Sequence, residues 1–307
     1  MIEIDKESAG WRKIVPETGS PEKILTGCAN FADGPVWDEA DGALIFTEAW
    51  MNRSPGKIWK WRPNRGVEFV FGPCKGLGAT LDLEGRLVVA GWSSRSIWRR
   101  EHDGSTTVLA SHYGALRINS PNDVVVHSSG AIYWTDPATG LNGNGRGADR
   151  TDDLQRYLPF ESVFRVWPGS GQVEPVADDF ALPNGITFSP DERLLYVNDT
   201  IRQHIRVFDV QPDGSLANGR LFYEAEADLP GTFDGMKVDV EGNVYCTAAG
   251  GIHVIDPEGK LLVRIRFPTP VGNIAWGGPD WRWMFCTLQE SIYRIELKIP
   301  GVPVRRR

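Results

Sequence analysis

Residues 234–255 read Asp-Gly-Met-Lys-Val-Asp-Val-Glu-Gly-Asn-Val-Tyr-Cys-Thr-Ala-Ala-Gly-Gly-Ile-His-Val-Ile, and this stretch contains one copy of a frame that recurs along the chain. The frame begins with one residue, usually polar, and continues with an apolar-x-apolar run. A turn residue follows about eight positions later, and two further apolar runs of strand length come after it. The residues that begin the six copies, which we call the ring positions, are Asp33, Leu77, Asn122, Asn184, Asp234 and Asn273. Their turn residues are Gly42, Gly85, Gly130, Glu192, Gly242 and Trp281.

This recurrence predicts the fold. Successive ring positions are 39 to 62 residues apart, and each copy offers three short strands with room for a fourth, which is typical of a propeller blade. Six copies predict an all-β, six-bladed β-propeller. The stretch from Trp11 to Ile24 carries no frame, so we expect it to supply the outer strand that completes the last blade and closes the ring. Because the copies fill the chain, we expect residues 1–307 to form a single domain.

Composition and charge narrow the classes of partner. The chain has 41% apolar residues, 34 Gly and 12 Trp, which is typical of a β-rich globular protein. A formal net charge of −7 disfavours nucleic acid and anionic membrane surfaces as partners. No run approaches the roughly 18 apolar residues of a membrane span. Residues 1–10 carry charges where a signal peptide would be apolar, so we expect a cytoplasmic protein.

Two smaller features lead to further expectations. The four cysteines, at positions 28, 74, 246 and 286, have no CxxC spacing and are expected to be free thiols, as in a reducing compartment. The end of the chain, Arg305-Arg-Arg307, is expected to be a short solvated tail.

The ring positions form the candidate site. The innermost strands of a propeller run along its axis, so equivalent positions of the six frames lie at one level around the tunnel. Asp33 and Asp234 would repel each other there unless a cation lay between them. Together with the carboxamides of Asn122 and Asn184, they suit a hard divalent ion such as calcium, magnesium or manganese better than structural zinc. Asn-Gly and Asp-Gly are also ordinary turn dipeptides, so a single frame would not indicate a metal.

The chain resembles the SMP-30/gluconolactonase/luciferin-regenerating-enzyme family of six-bladed propellers over nearly its whole length. The resemblance implies a divalent metal at the tunnel mouth, held by Asp33, Asn184 and Asp234, with Asn122 completing the shell or contacting the substrate. The motifs that carry it are Gly34-Pro-Val-Trp37, Ser120-Pro-Asn-Asp-Val-Val-Val126, Tyr133-Trp-Thr-Asp-Pro137, Leu182-Pro-Asn-Gly-Ile-Thr-Phe-Ser-Pro-Asp191 and Asp234-Gly-Met-Lys-Val-Asp239.

Hydrolysis of a small lactone fits this ligand set. A bound cation polarises a carbonyl and lowers the pKa of a coordinated water. We expect Asp234 to take the proton from the attacking water and return it to the leaving alkoxide, and Asn122 to orient the substrate. Asp33, Asn122, Asn184 and Asp234 are the predicted metal ligands, and one calcium ion is the predicted cofactor, with magnesium, manganese or zinc as alternatives. Two other functions remain open, an organophosphate or aryl-ester hydrolase with the same ion, and a non-catalytic ligand-binding propeller with a structural ion.

Three residues depart from the family pattern. Members usually carry Glu where this chain has Asp33, whose side chain is one methylene shorter. Many have Asn in place of Leu77, and some sugar-lactone hydrolases have Arg in place of Ser120. The loss of that rigid donor group, together with a more apolar wall, indicates a lactone less polar than gluconolactone.

The third copy is the longest, and its extra residues lie between Ala138 and Glu161. Long insertions in repeat folds often act as lids. We therefore expect this segment to close over the tunnel mouth, with Tyr157, Leu158 and Phe160 touching the substrate. The alternative is a disordered or lattice-dependent loop.

Overall fold

The computed structural model describes residues 3–5, 10–27, 29, 31–48, 56–141, 155–225 and 229–306. The strands of these residues form six antiparallel sheets of four or five strands each, and the sheets stand as blades around a central tunnel. The predicted six-bladed propeller is confirmed. No helix in the described ranges has the length and apolar character needed to cross a bilayer.

The N-terminal region and the first three blades contain sixteen strands and one short helix. The chain begins with β1 (Glu3–Ile4), α1 (Trp11–Ile14) and β2 (Glu22–Thr26). Blade 1 is β3 (Ala32–Asp38), β4 (Ala43–Glu48), β5 (Lys57–Arg62) and β6 (Gly66–Phe71). Blade 2 is β7 (Ala79–Leu81), β8 (Leu87–Gly91), β9 (Ser96–Arg100) and β10 (Thr106–Ala110), followed by the hairpin β11 (His112–Tyr113) and β12 (Leu116–Arg117). Blade 3 is β13 (Val124–Val126), β14 (Ile132–Asp136), β15 (Glu161–Val166) and β16 (Val173–Phe180).

The last three blades repeat the pattern. Blade 4 is β17 (Pro183–Phe188), β18 (Leu194–Asp199), β19 (His204–Val210) and β20 (Leu216–Glu224). Blade 5 is β21 (Met236–Val238), β22 (Val244–Ala248), β23 (Gly251–Ile255) and β24 (Leu261–Arg266). Blade 6 is β25 (Asn273–Gly277), β26 (Trp283–Leu288) and β27 (Ser291–Glu296).

The N-terminal segment closes the ring, with boundaries that differ from the prediction. Strand β2 pairs with β27 as the outer strand of blade 6, as expected, but it begins only at Glu22. The preceding residues form helix α1, whose Trp11 and Ile14 are buried in the cluster that joins blades 1, 5 and 6. Strand β1 adds an unpredicted fifth strand to blade 5 by pairing with β24.

The six predicted turn residues all adopt the backbone conformation that a tight turn after the first strand requires. Their φ angles are positive, including +59° at Glu192 and +58° at Trp281, which are not glycines. Non-glycine residues adopt this conformation rarely. The frame therefore dictates the backbone at this position even where the residue type opposes it.

Arg305 and Arg306 of the C-terminal tail, residues 300–306, are exposed as expected, but the tail is also held against the propeller. It crosses the end of the tunnel opposite the ring positions, where Val302 N donates to Val238 O at 3.2 Å. Arg305 pairs with Glu192 at 3.3 Å, and Arg306 donates to Asp38 at 2.6 Å. These partners belong to blades 5, 4 and 1, so the tail connects blade 1 with blades 4 and 5.

The cysteines in the described residues behave as predicted. Cys74, Cys246 and Cys286 are buried free thiols, and burial raises the pKa of Cys74 to about 11. Cys28 lies outside the described residues.

Candidate metal and catalytic site

The innermost strands of the six blades contact one another in a closed cycle around the tunnel. Each ring position lies within two residues of the start of its innermost strand, so all six surround the same end of the tunnel, which we call the ring mouth. Asp33, Asn184 and Asn273 are buried there, whereas Leu77, Asn122 and Asp234 are partly exposed. The structure thus places all four predicted site residues at one mouth.

The glycines that follow ring positions allow neighbouring blades to approach closely. A Cβ atom on Gly34 would lie 2.2 Å from the carbonyl oxygen of Leu77, and one on Gly185 would lie 2.1 Å from that of Asp234. Both distances are shorter than any real Cβ contact. In these two frames the glycine is therefore required by contact between blades, which turn chemistry alone would not explain.

Asp33 is 5% exposed, and one of its oxygens has two donors. Its Oδ1 accepts hydrogen bonds from Gly34 N at 2.6 Å and from Asn273 Nδ2 at 3.0 Å. Burial raises the pKa of Asp33 to about 6, the two hydrogen bonds oppose that rise, and the nearby charge of Asp123 adds to it. A cation beside this carboxylate would favour its ionised form.

Asn184 presents an open oxygen. Thr200 Oγ1 donates to Phe233 O at 2.7 Å and so acts as the acceptor for Asn184 Nδ2 at 3.0 Å, which fixes the orientation of the amide. Asn184 Oδ1 is buried and has no hydrogen-bond partner. A buried acceptor without a donor costs about 1–3 kcal/mol, so this atom is where a bound cation would be most stabilising.

Asn122 and Asp234 are held in place through their backbones. Asn122 O accepts from Gly78 N at 2.8 Å, and Asn122 N donates to Thr135 O at 2.9 Å. The carbonyl oxygen of Asp234 accepts from Asn198 Nδ2 at 2.6 Å. Because both residues are partly exposed, their side chains are accessible from the mouth.

Sequence reasoning missed two charged residues beside the ring. Asp123 is 2% exposed, and its Oδ2 lies 3.8 Å from Lys237 Nζ without forming a hydrogen bond. Burial raises the pKa of Asp123, and the charge of Lys237 opposes that rise. Lys237 therefore compensates part of the negative charge near the ring, which the sequence argument assigned to a metal alone. The sequence signal that could have identified Lys237 is its position between Met236 and Val238 in an otherwise apolar innermost strand.

The donor chemistry of the ring mouth fits a hard divalent cation. In the part of the chain that the structure describes, no three His, Cys, Asp or Glu side chains are grouped so that they could hold a metal by themselves. A site would therefore need carboxamide oxygens as well as the carboxylates of Asp33 and Asp234. Asn184 supplies one such oxygen, and carboxylate with carboxamide is a donor set typical of calcium.

The Ser120 hydroxyl is hydrogen-bonded to the loop that follows the second strand of blade 3. The hydroxyl donates to Pro137 O at 2.5 Å and accepts from Gly140 N at 2.8 Å. Asp136, the residue before Pro137, accepts a hydrogen bond from Asn119 N at 2.7 Å. Burial holds the pKa of Asp136 well above its usual range. Both residues therefore stabilise loops next to the mouth.

The predicted lid segment is only partly described, because residues 142–154 lie outside the described residues. Tyr157 is 54% exposed and lies beside Arg95, 5.4 Å from ring centre to guanidinium. Leu158, in contrast, is 1% exposed and packs in the cluster between blades 2 and 3. Phe160 packs against the same cluster. Leu158 is thus a core residue, and the expectation that it touches substrate is wrong.

Comparison with known proteins gives concordant matches. A family model described as the SMP-30/gluconolactonase/LRE-like region matches residues 31–290. The chain is 28% identical to a gluconolactonase of Zymomonas mobilis, with 93% of this chain and 83% of that protein covered. It is 26% identical to regucalcin of Oryctolagus cuniculus, with 87% and 85% covered. A solved Xanthomonas campestris structure, described as a gluconolactonase important in glucose secondary metabolic pathways, has a TM-score of 0.84 at 29% identity and covers 97% of this chain and 95% of its own.

The family match spans all six ring positions, from Asp33 in blade 1 to Asn273 in blade 6. The C-terminal tail lies beyond it. Repeat frame, fold and similarity agree, and the chain belongs to the SMP-30/gluconolactonase/LRE-like family.

Proposed function

We propose that this protein is a divalent-metal-dependent lactonase that opens a small cyclic ester at the ring mouth. The observation that carries the proposal is the buried, unpartnered Oδ1 of Asn184 at a mouth that also contains Asp33 and Asp234. The similarity to the gluconolactonases of Zymomonas mobilis and Xanthomonas campestris supports the reaction class. Calcium is the ion that we propose first, because carboxylate and carboxamide oxygens are its usual ligands.

Asp33, Asn184 and Asp234 would hold the ion, with Asn122 as a fourth ligand or a substrate contact. When bound, the ion would polarise the lactone carbonyl and lower the pKa of a water. Asp234 takes a proton from the attacking water as the water oxygen bonds to the carbonyl carbon. It returns that proton to the ring oxygen when the carbon–oxygen bond breaks, and the product is a hydroxy acid. Asn122 donates a hydrogen bond from its side-chain amide to the substrate and keeps the ester facing Asp234.

The walls of the mouth favour a substrate with few hydroxyl groups. Leu77 places an apolar side chain at a ring position and is partly exposed. The Ser120 hydroxyl already has two partners in the loop. A polyhydroxylated sugar lactone would therefore find fewer donors here than an alkyl-substituted lactone of the same ring size.

The test is hydrolysis of a panel of γ- and δ-lactones by the chelated protein, with calcium, magnesium, manganese and zinc restored one at a time. Gluconolactone and alkyl lactones belong in the same panel, together with an aryl ester and an organophosphate triester. We expect turnover that depends on the restored metal and is faster for alkyl lactones than for gluconolactone.

Other results would favour the alternatives. Metal-restored turnover confined to the aryl ester or the triester would replace the lactonase with that hydrolase. Metal binding that raises the melting temperature, without turnover of any substrate, would favour a ligand-binding propeller with a structural ion.

A further inference from the structure

Side chains near the ends of three second strands donate hydrogen bonds to the ring position of the following blade. Each donor occupies the second-to-last position of its strand and is fully buried. Each acceptor is the backbone carbonyl oxygen of a ring position. The three bonds run from Thr47 Oγ1 to Leu77 O, from Thr135 Oγ1 to Asn184 O and from Asn198 Nδ2 to Asp234 O, and each is 2.6 Å long.

Asn198 differs from the two threonines because it bonds through both ends of its side chain. Its Oδ1 accepts from Gly185 N at 3.1 Å, while its Nδ2 donates to Asp234 O. One buried amide therefore joins the backbone next to Asn184 with the backbone of Asp234. A threonine has a single oxygen, which lies closer to the backbone and must make any two such bonds by itself.

Thr135 performs the corresponding role one blade earlier. Its hydroxyl donates to Asn184 O at 2.6 Å and accepts from Asp123 N at 3.1 Å. It therefore joins the backbone next to Asn122 with that of Asn184. Thr135 and Asn198 together hold Asn184 from both neighbouring sides.

We propose that Thr135 and Asn198 are positioning residues that set the spacing of Asn122, Asn184 and Asp234 and thereby the affinity of the ring mouth for its metal. The inference rests on the proposed function, since it assigns these ring residues to a metal site. Functional groups must be held within about 0.5 Å of their productive positions. Side chains behind metal ligands commonly change metal affinity by 10- to 100-fold when mutated.

Thr47 provides a matched control. Its hydroxyl makes a bond of the same length to the carbonyl of the next ring position, but that residue is Leu77, which has no ligand atom in its side chain. Thr47 also pairs with Asp33 in the sheet, so the control is equally close to a proposed ligand. Thr47→Val and Thr135→Val both delete a hydroxyl bond to the next ring position and differ in the residue that receives it, and Thr135→Val also removes the acceptor of Asp123 N.

The experiment measures the dissociation constants of calcium, magnesium, manganese and zinc for the chelated protein by calorimetry. The proteins compared are wild type, Thr47→Val, Thr135→Val, Asn198→Leu and Asn198→Thr. Urea unfolding of each metal-free protein gives its stability. We expect Thr135→Val and Asn198→Leu to weaken metal binding 10- to 100-fold, and Thr47→Val to change it less than about threefold. Asn198→Thr keeps a hydroxyl donor and should lie between wild type and Asn198→Leu, and it also serves if the leucine variant does not fold.

Unchanged metal affinity in folded Thr135→Val and Asn198→Thr would overturn the inference while leaving the proposed function intact. An equal loss of affinity in Thr47→Val would also overturn it, because the effect would then be a general loosening of the ring. A wild-type protein that binds none of the four metals would overturn the proposed function and this inference together.

Discussion

The two ends of the tunnel satisfy their buried polar groups differently. At the ring mouth, Asn184 Oδ1 is buried without a hydrogen bond, and Asp123 Oδ2 has only its ion pair with Lys237. At the opposite end, the C-terminal tail covers the innermost strands and pairs its Arg305 and Arg306 with acidic residues. A cavity of about 120 Å³ remains beneath the tail.

This difference indicates that the ring mouth serves function and that the tail end serves stability. Buried acceptors without donors lower the free energy of unfolding by about 1–3 kcal/mol each, so a fold retains them where a ligand supplies the missing partner. At the tail end, Trp276 Nε1 is also buried without a partner, but it is a donor that a cation cannot satisfy, and the tail adds contacts between blades. We therefore expect changes at the ring mouth to alter activity and metal binding, and changes at the tail end to alter stability.

The largest effect is expected for Asp234→Asn at the ring mouth. The amide cannot accept the proton of the attacking water, so kcat for lactone hydrolysis should fall roughly 10³-fold. The melting temperature should change little, because Asp234 is partly exposed. Asp256→Asn, in a turn at the opposite end of the same blade, is the control and should keep wild-type kcat. Activity retained in Asp234→Asn would remove this residue from the catalytic role.

His253 is a buried titratable residue outside both ends of the tunnel, and both of its ring nitrogens have hydrogen-bond partners. It can therefore be compared with the ring mouth, where a buried oxygen lacks a partner. His253 Nε2 donates to Ala249 O at 2.9 Å, and Nδ1 accepts from Tyr223 Oη at 2.9 Å. Burial lowers the pKa of His253 to about 4, below the roughly 6.5 of an unfolded histidine. The unfolded chain therefore binds more protons between these values, and this contribution to stability is complete above pH 6.5 and is lost as the pH falls to about 4.

The contribution is on the order of 3 kcal/mol. It can be isolated as the difference in urea unfolding free energy between wild type and His253→Gln across that pH range. We expect this difference to shrink as the pH decreases. A difference that is constant with pH would show that His253 is not held neutral by the fold.

Deletion of residues 302–307 tests the tail end. Val302 and Val304 are partly buried against the innermost strands, and two ion pairs are lost with them. We expect the free energy of unfolding to fall by about 2 kcal/mol, with the metal dissociation constant unchanged. If the truncated protein kept its stability but bound metal more weakly, the separation between the two ends would be wrong.

The smallest effect is expected for Arg306→Gln. The Arg306 side chain is 28% exposed and its partner Asp38 is 16% exposed, so solvent still reaches the pair and screens it. Such pairs contribute less than about 1 kcal/mol. Chemical unfolding at low and high salt measures this contribution, which should decrease with salt in the wild type and be absent from the variant. A loss of several kcal/mol would make this pair the main support of the tail.

The repeat frame predicted those features of the fold that a single blade determines by itself. It located the ring positions, and it identified Glu192 and Trp281 as turn residues although neither residue type suggests a turn. Position in the frame carried that information, because six copies of one blade must turn at equivalent places. The assignment of residues 1–307 to one domain, the cytoplasmic location and the metal roles of the ring residues stay predictions.

Features that depend on which blades meet were not predictable. Lys237 pairs with Asp123 from two blades away, and Arg305 of the tail pairs with Glu192 of blade 4. Leu158 was expected over the mouth but is buried among the apolar side chains between blades 2 and 3 instead. No local pattern marks such partners, since they are far apart in sequence.

The central claim is that the ring mouth binds one divalent ion through the open oxygen of Asn184. Calorimetric titration of the chelated wild type and of Asn184→Leu with calcium and manganese tests it most directly. Leucine has a similar volume but no oxygen, and it removes the buried unpartnered acceptor. The account predicts one ion per wild-type chain, at least tenfold weaker binding in Asn184→Leu and little change in the stability of the metal-free variant. Equal affinity in the two proteins, or no binding by the wild type, would contradict it.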